Sequence, residues 1–225
     1  MIVIKYQKKN HKAIIYAVVL ALKHGKVVAY PTDTSYGLAV DVTNKAALKK
    51  FYLIKERDAK KKPVHMVVAS VAQAKKYGQW NRVAQTLTAK FWPGPISLVL
   101  PISWHVKGKE FIKLFSAGTG AIGLRMPKNE IALDIVKQLK VPITATSANP
   151  SQHLSGGYDS YTAEDIIKQF SKQKHKPDII IDAGRLPKKK PSTLVKLQHR
   201  VVGEGYEILR AGPITKKQID QALKI

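Results

Sequence analysis

Cysteine is absent from the 225 residues, which excludes disulfides, thiolate nucleophiles, Cys-ligated zinc and iron–sulfur clusters. Acidic residues are scarce, with 15 Asp and Glu against 39 Lys and Arg, too few for a carboxylate-rich metal cage. No apolar run approaches the ~20 uninterrupted residues that cross a bilayer. The GxxxxGK[ST] and GxGxxG phosphate loops are missing, as are HExxH and the GxSxG elbow. The seven His are scattered without metal-ligand spacing, so no protein metal ligands are nominated. There is no internal repeat and no Gly/Ser-rich linker. A reducing, cytoplasmic setting is the expectation.

What is present is charge. The formal net charge is +24, with 44% hydrophobic and 24% charged residues, a composition that suits one globular domain over 1–225 burying about 70% of its unfolded surface. Such an excess favours polyanions: nucleotides, nucleic acid or acidic membrane surfaces.

Four lysines (Lys5, Lys8, Lys9 and Lys12) precede an apolar run over 13–22, superficially like a secretory leader. No small-x-small cleavage site follows, and Ile14, Ile15, Val18, Val19 and Leu22 recur at helical spacing before Gly25. The spacing predicts an amphipathic helix instead. Downstream, strands are expected at 27–30, 64–69, 96–100, 121–125, 143–145, 179–181, 193–197 and 206–209. Helices are expected from a Thr43 cap to about 55, near 71–77, and at 82–91, 130–139 and 163–170. A final helix over 215–224 opens with the capping pair Thr215 and Gln218. Interleaving of this kind predicts an α/β architecture with parallel strand pairs, and the late strand cluster adds antiparallel pairing. The lysine runs at 60–62 and 188–190 read as loops within the domain.

Five loops carry residues that packing alone explains poorly. After the first buried strand comes Pro31-Thr-Asp-Thr-Ser-Tyr-Gly37, a hydroxyl run closed by a glycine, which suits either turn chemistry or a ligand. Lys55 and Arg57 end a helix, where cations complement the helix dipole or hold phosphate oxygens. Arg125 leaves an apolar strand, either solvated or as a bidentate carboxylate anchor. Thr144, Thr146, Ser147 and Asn149 follow another buried strand, where open α/β sheets place ligands. Ser192 and Arg210 sit at the boundaries of the last two strands. A polar, cationic cavity that positions an anionic reactant fits these types better than a covalent nucleophile does.

In order, these segments resemble the YrdC/TsaC family of threonylcarbamoyl-AMP synthases. The matching pieces are Tyr30-Pro-Thr-Asp-Thr-Ser-Tyr-Gly-Leu38, Lys55-x-Arg57, Pro93-Gly-Pro-Ile-Ser-Leu98, Gly123-Leu-Arg-Met-Pro127, Thr146-Ser-Ala-Asn149, Pro191-Ser-Thr193 and Leu209-Arg-Ala-Gly212. They span about 10–213. The resemblance implies a twisted mixed sheet flanked by helices around a wide basic cavity, in a form lacking the extra C-terminal domain of some relatives. It implies condensation of L-threonine, bicarbonate and ATP, with Mg2+, to threonylcarbamoyl-AMP and pyrophosphate. The product feeds tRNA modification, with tRNA met directly or through a partner transferase. It implies Lys55 and Arg57 as catalytic and nucleotide-binding residues, and Thr32, Tyr36, Arg125 and His65 on the threonine and carbamate side. Thr144, Thr146, Ser147, Asn149, Ser192 and Arg210 are implied on the nucleotide.

Four departures stand out. The family His four residues after the Lys-x-Arg loop's Pro is here Val67; His65 lies on the same strand face and is either its substitute or a surface residue. The loop 58–62 is about one residue longer than usual. Leu154-Ser-Gly-Gly-Tyr158 replaces a Ser-Pro-Thr, and Pro191 a Glu. Two alternatives remain open: an RNA-binding module of the same fold, and a carbamoyl-transfer maturation factor. The second is disfavoured because those long chains carry zinc-finger cysteines.

Overall fold

A computed structural model of the chain describes residues 1–56, 63–199 and 204–224. Its first half runs β1 (Ile2–Lys5), α1 (His11–Lys23), β2 (Val28–Tyr30), β3 (Gly37–Ala39), α2 (Lys45–Ile54), β4 (His65–Val67), α3 (Val71–Lys75), α4 (Arg82–Phe91) and β5 (Ile96–Pro101). It continues through α5 (Lys109–Ser116), β6 (Ala121–Arg125), α6 (Glu130–Leu139), β7 (Ile143–Thr144), β8 (Thr146–Ser147) and α7 (Gln152–Ser155). Last come α8 (Ala163–Phe170), β9 (Ile179–Asp182), β10 (Thr193–His199), β11 (Glu204–Arg210) and α9 (Lys216–Leu223).

The strands form two mixed sheets rather than the single one expected, ordered β1-β9-β2-β3-β8 and β11-β10-β5-β6-β4-β7. In the first, β1, β9 and β2 run parallel and β3 turns back antiparallel. In the second, β10 with β5 and β4 with β6 are the parallel pairs. The segment predicted as one strand over 143–145 joins the sheets. Thr144 pairs with Met66 in the six-stranded sheet, and Thr146 with Leu38 in the five-stranded one. The break falls at Ala145, whose N–H donates to the His65 carbonyl. A chain changing sheets here brings the ends of β3, β4 and β8 together, and the cavity described below opens at that junction.

Strand alternation divides the apolar residues between two clusters. Val28, Tyr30 and Ile181 face α1 and α6, whose Ile15, Val18, Ile135 and Val136 are buried with them. Ala29, Leu38 and Ile180 point the other way, into the core built on α2, α4, α8 and the six-stranded sheet. Each large apolar side chain so buried contributes roughly 1.5–3 kcal/mol. Gly25 takes φ +73° after α1, the left-handed conformation that glycine adopts without strain.

Helices 82–91, 130–139 and 163–170 and strand 121–125 match their predicted bounds, and Thr215 and Gln218 form their capping box. The cap of α2 differs. Asn44, not Thr43, accepts from the Ala47 N–H, because the Thr43 hydroxyl donates to Asp41 instead. The strand predicted over 64–69 narrows to three residues, since the Ala69 N–H is taken by the Gln73 side chain at the start of α3. Strands β1 and β3 and helices α5 and α7 were not anticipated. No described helix is long and apolar enough to cross a membrane.

Candidate active site

The hydroxyl loop after β2 folds on itself. Thr32 Oγ1 donates to the Ser35 carbonyl at 2.7 Å and accepts from the Thr34 and Ser35 N–H groups. A threonine thus closes a local turn, and this bends the loop toward the end of β6. There Arg125 is buried. Its Nη2 donates to Asp33 Oδ1 at 2.5 Å, and its Nη1 to Thr34 Oγ1 at 3.3 Å. Burial lowers the Arg125 pKa, and the neighbouring Asp33 opposes that.

Lys55 follows α2 and is also buried. Its ammonium donates to the carbonyls of Ser147 and Asn149, at 2.9 and 2.5 Å, and to Asn149 Oδ1 at 3.1 Å. Ser147 Oγ in turn donates to Asn149 Oδ1. Lys55 therefore braces the loop after β8 rather than standing isolated. Across the cavity, Arg210 at the end of β11 wraps Ser192, donating through Nε and Nη2 to its carbonyl. The Ser192 hydroxyl meets Ser97 Oγ of β5 at 2.9 Å. Burial lowers the Arg210 pKa, and the charge of Arg125 lowers it further.

These groups border one cavity of about 470 Å³, lined from both sheets. Thr32, Lys55, His65, Arg125, Thr146, Ser147, Asn149, Ser192 and Arg210 all reach it. His65 lies along Gly123 of the adjoining strand, where any side chain would collide with its ring. It is a lining residue, not a surface one.

Two assignments change. Thr144 is fully buried and does not line the cavity; its hydroxyl donates to Leu38 O and accepts from Val40 N–H, joining the sheets. Tyr36 borders the cavity, but its hydroxyl donates to Gly184 O and accepts from Ala183 N–H, and burial pushes its pKa up to about 12. Its hydroxyl thereby anchors β3 to the end of β9. Arg57, the run at 60–62 and the longer loop at 58–62 lie outside the described residues.

Sequence reasoning passed over three residues. Ser97 and Asp159 line the cavity, and Asp33 pairs with Arg125. A serine alternating into an otherwise apolar strand was a usable signal for Ser97; nothing local marks Asp159. Among the described residues His11, Glu130 and Asp134 also cluster as potential metal ligands, outside the cavity lining. There the His11 ring pairs with Asp134 at 3.0 Å, tying α1 to α6.

Comparison with known proteins bears on the family and the fold. The Sua5/YciO/YrdC family model, described as "Telomere recombination", matches residues 20–212. A putative threonylcarbamoyl-AMP synthase of Methanocaldococcus jannaschii is 31% identical over 85% of this chain and 84% of its own. The threonylcarbamoyl-AMP synthase of Bacillus subtilis is 31% identical over 90% of this chain, which spans only 54% of that relative's length. The crystal structure of Pyrococcus abyssi Sua5 complexed with L-threonine superposes with a TM-score of 0.82 at 29% identity, covering 99% of this chain and 60% of that one.

Proposed function

The chain belongs to the Sua5/YciO/YrdC family, and from that premise we propose that it is an L-threonylcarbamoyladenylate synthase. It would condense L-threonine, bicarbonate and ATP to threonylcarbamoyl-AMP, pyrophosphate and water, bicarbonate supplying the CO2. One observation carries the reading: motif segments scattered from residue 30 to residue 210 converge on a single cavity with Arg125 and Arg210 in its wall.

The chemistry asks for such a wall. The threonine amine adds CO2 and loses a proton to give a carbamate. The carbamate oxygen then bonds to the α-phosphorus of ATP as pyrophosphate leaves. Both reactants are anions, so fixed cations must offset their repulsion and the charge that builds on the phosphoryl oxygens. Holding the two in line supplies much of the remaining rate. In this reading Arg125 grips the threonine carboxylate, with His65 beside the amino-acid side chain. The phosphates and nucleoside meet Thr146, Ser147 and Asn149 on the loop that Lys55 braces, and Ser192 and Arg210 close over the AMP portion. Arg57 keeps its proposed place on the triphosphate. Mg2+ would enter with ATP to neutralise phosphate charge. Asp159 is the only carboxylate among the described lining residues, so the protein suits an ion held mainly by phosphate oxygens and water.

Pyrophosphate release with each amino acid in turn, alongside incorporation of labelled bicarbonate, tests the proposal. Release should require threonine and bicarbonate and should be lost in Arg125→Ala. The net charge of +24 favours a second reading, an RNA-binding module of the same fold. No threonine-dependent product together with tight, salt-sensitive tRNA binding would leave only that second reading.

A further inference from the structure

Arg125 meets the cavity with a second carboxylate already on its guanidinium. Thr32, Thr34 and Ser35 border the cavity, whereas Asp33, between them, is not part of its lining. The Asp33 and Arg125 side chains are 10% and 11% exposed, and Oδ1 and Nη2 lie 2.5 Å apart. Each keeps one buried polar atom without a partner, Oδ2 of Asp33 and Nε of Arg125. The turn closed by Thr32 Oγ1 fixes where Asp33 sits. Arg125 thus has a buried counter-charge that the cavity's occupant does not supply.

We propose that Asp33 is a positioning residue for the carboxylate anchor: it neutralises buried Arg125 and fixes the guanidinium plane so that the remaining donors face an incoming α-carboxylate. This rests on the threonine reading above. A guanidinium recognises a carboxylate through a planar, two-pronged geometry. A buried charge stripped of its partner instead turns toward whatever water it can reach. Asp33 holds the Arg125 guanidinium in plane before substrate arrives, so that binding energy is not spent on ordering it.

The test uses Asp33→Asn in the full chain, which keeps the shape and removes the charge. The threonine KM should rise about tenfold or more, while the ATP KM and kcat at saturating threonine stay within about threefold. In an Arg125→Lys background the same substitution should change the threonine KM by less than about twofold, because Asp33 acts through the guanidinium. An unchanged threonine KM overturns the proposal. So does a lowered one, which would make Asp33 a competitor, or an equal effect in both backgrounds. A second readout needs no turnover: water exchange at the Arg125 Nε–H, followed by NMR, should be slow in the parent and at least about tenfold faster in Asp33→Asn. Equal exchange overturns the positioning role. If the parent chain makes no pyrophosphate from threonine, the proposed reaction fails, and the exchange measurement alone decides Asp33. Should Asp33→Asn not fold, Asp33→Glu, which displaces the charge by one methylene, takes its place with the same expectations.

Discussion

His65 and Gly123 are register partners on the parallel strands β4 and β6. A Cβ built on Gly123 would lie 2.2 Å from His65 Cδ2 and 2.6 Å from Cγ. The glycine is therefore there for its neighbour's ring, not for backbone freedom. Gly123→Ala forces that ring to rotate, a strain typically of about 1–3 kcal/mol, read as a drop in denaturant stability. In a His65→Ala background the added methyl has nothing to strike, so the cost should disappear; an equal cost in both backgrounds would place the strain elsewhere. If His65 attends the amino acid, Gly123→Ala also raises the threonine KM more than the ATP KM. The sequence showed His65 only as a neighbour of the expected position, two residues early on the same strand face. Its direction became readable only with the glycine opposite, on a strand far along the chain. Thr144 and Tyr36 show the reverse limit. Their types and positions suited a ligand, but buried backbone at the sheet junction needed their hydroxyls first, and unpaired buried groups are costly.

Elements were legible where the signal was local. Strand β6 and helices α4, α6 and α8 follow from periodicity and length. Strand β1 was not, because its partner β9 lies near the other end of the chain. Strand β3, three residues long beyond a hydroxyl loop, carries no period of its own. Cap choice is a finer case. Asn44→Ala should cost about 1 kcal/mol, the usual loss for an N-cap. Thr43→Ala should cost less by denaturation, since Thr43 bonds Asp41 and not the helix; the opposite ranking would restore Thr43 as the cap. The α1–α6 contact makes a prediction in pH. Burial alone would raise the Asp134 pKa, but hydrogen bonds from Lys137 and His11 outweigh it and hold the carboxyl below its usual value. A depressed folded-state pKa contributes stability above the unfolded value of about 3.9 and loses it as pH falls through the folded one. Asp134→Asn should therefore lower Tm at pH 7, with the deficit closing below about pH 4. A deficit that persists undiminished at pH 3 would show the loss to be steric.

At the scale of the whole molecule, the cations exceed what the cavity uses. Arg125 and Arg210 are partly or largely buried and committed to partners in the wall. Lys188, Lys189 and Lys190 are exposed on the segment leading directly to Ser192. Their exposure, against the burial of Arg125 in the wall, makes two kinds of electrostatics distinguishable. Charges buried around a substrate are screened little by salt, whereas exposed ones are screened within about 8–10 Å at physiological ionic strength. A polyanion bound along the outside releases counterions, so its affinity falls linearly in log salt with a slope set by the phosphates engaged. Replacing all three lysines by Ala should leave the threonine and ATP KM within about twofold. It should weaken tRNA binding and flatten the salt slope by as much as roughly 2–3, near one unit per lost phosphate contact. Titrations of labelled tRNA between about 50 and 200 mM salt measure that slope. If it is unchanged while overall affinity falls, the lysines act on fold or loop geometry instead. If tRNA binding is weak in the parent at every salt concentration, the charge of +24 does not serve RNA, and the adenylate must leave the cavity without a docked acceptor.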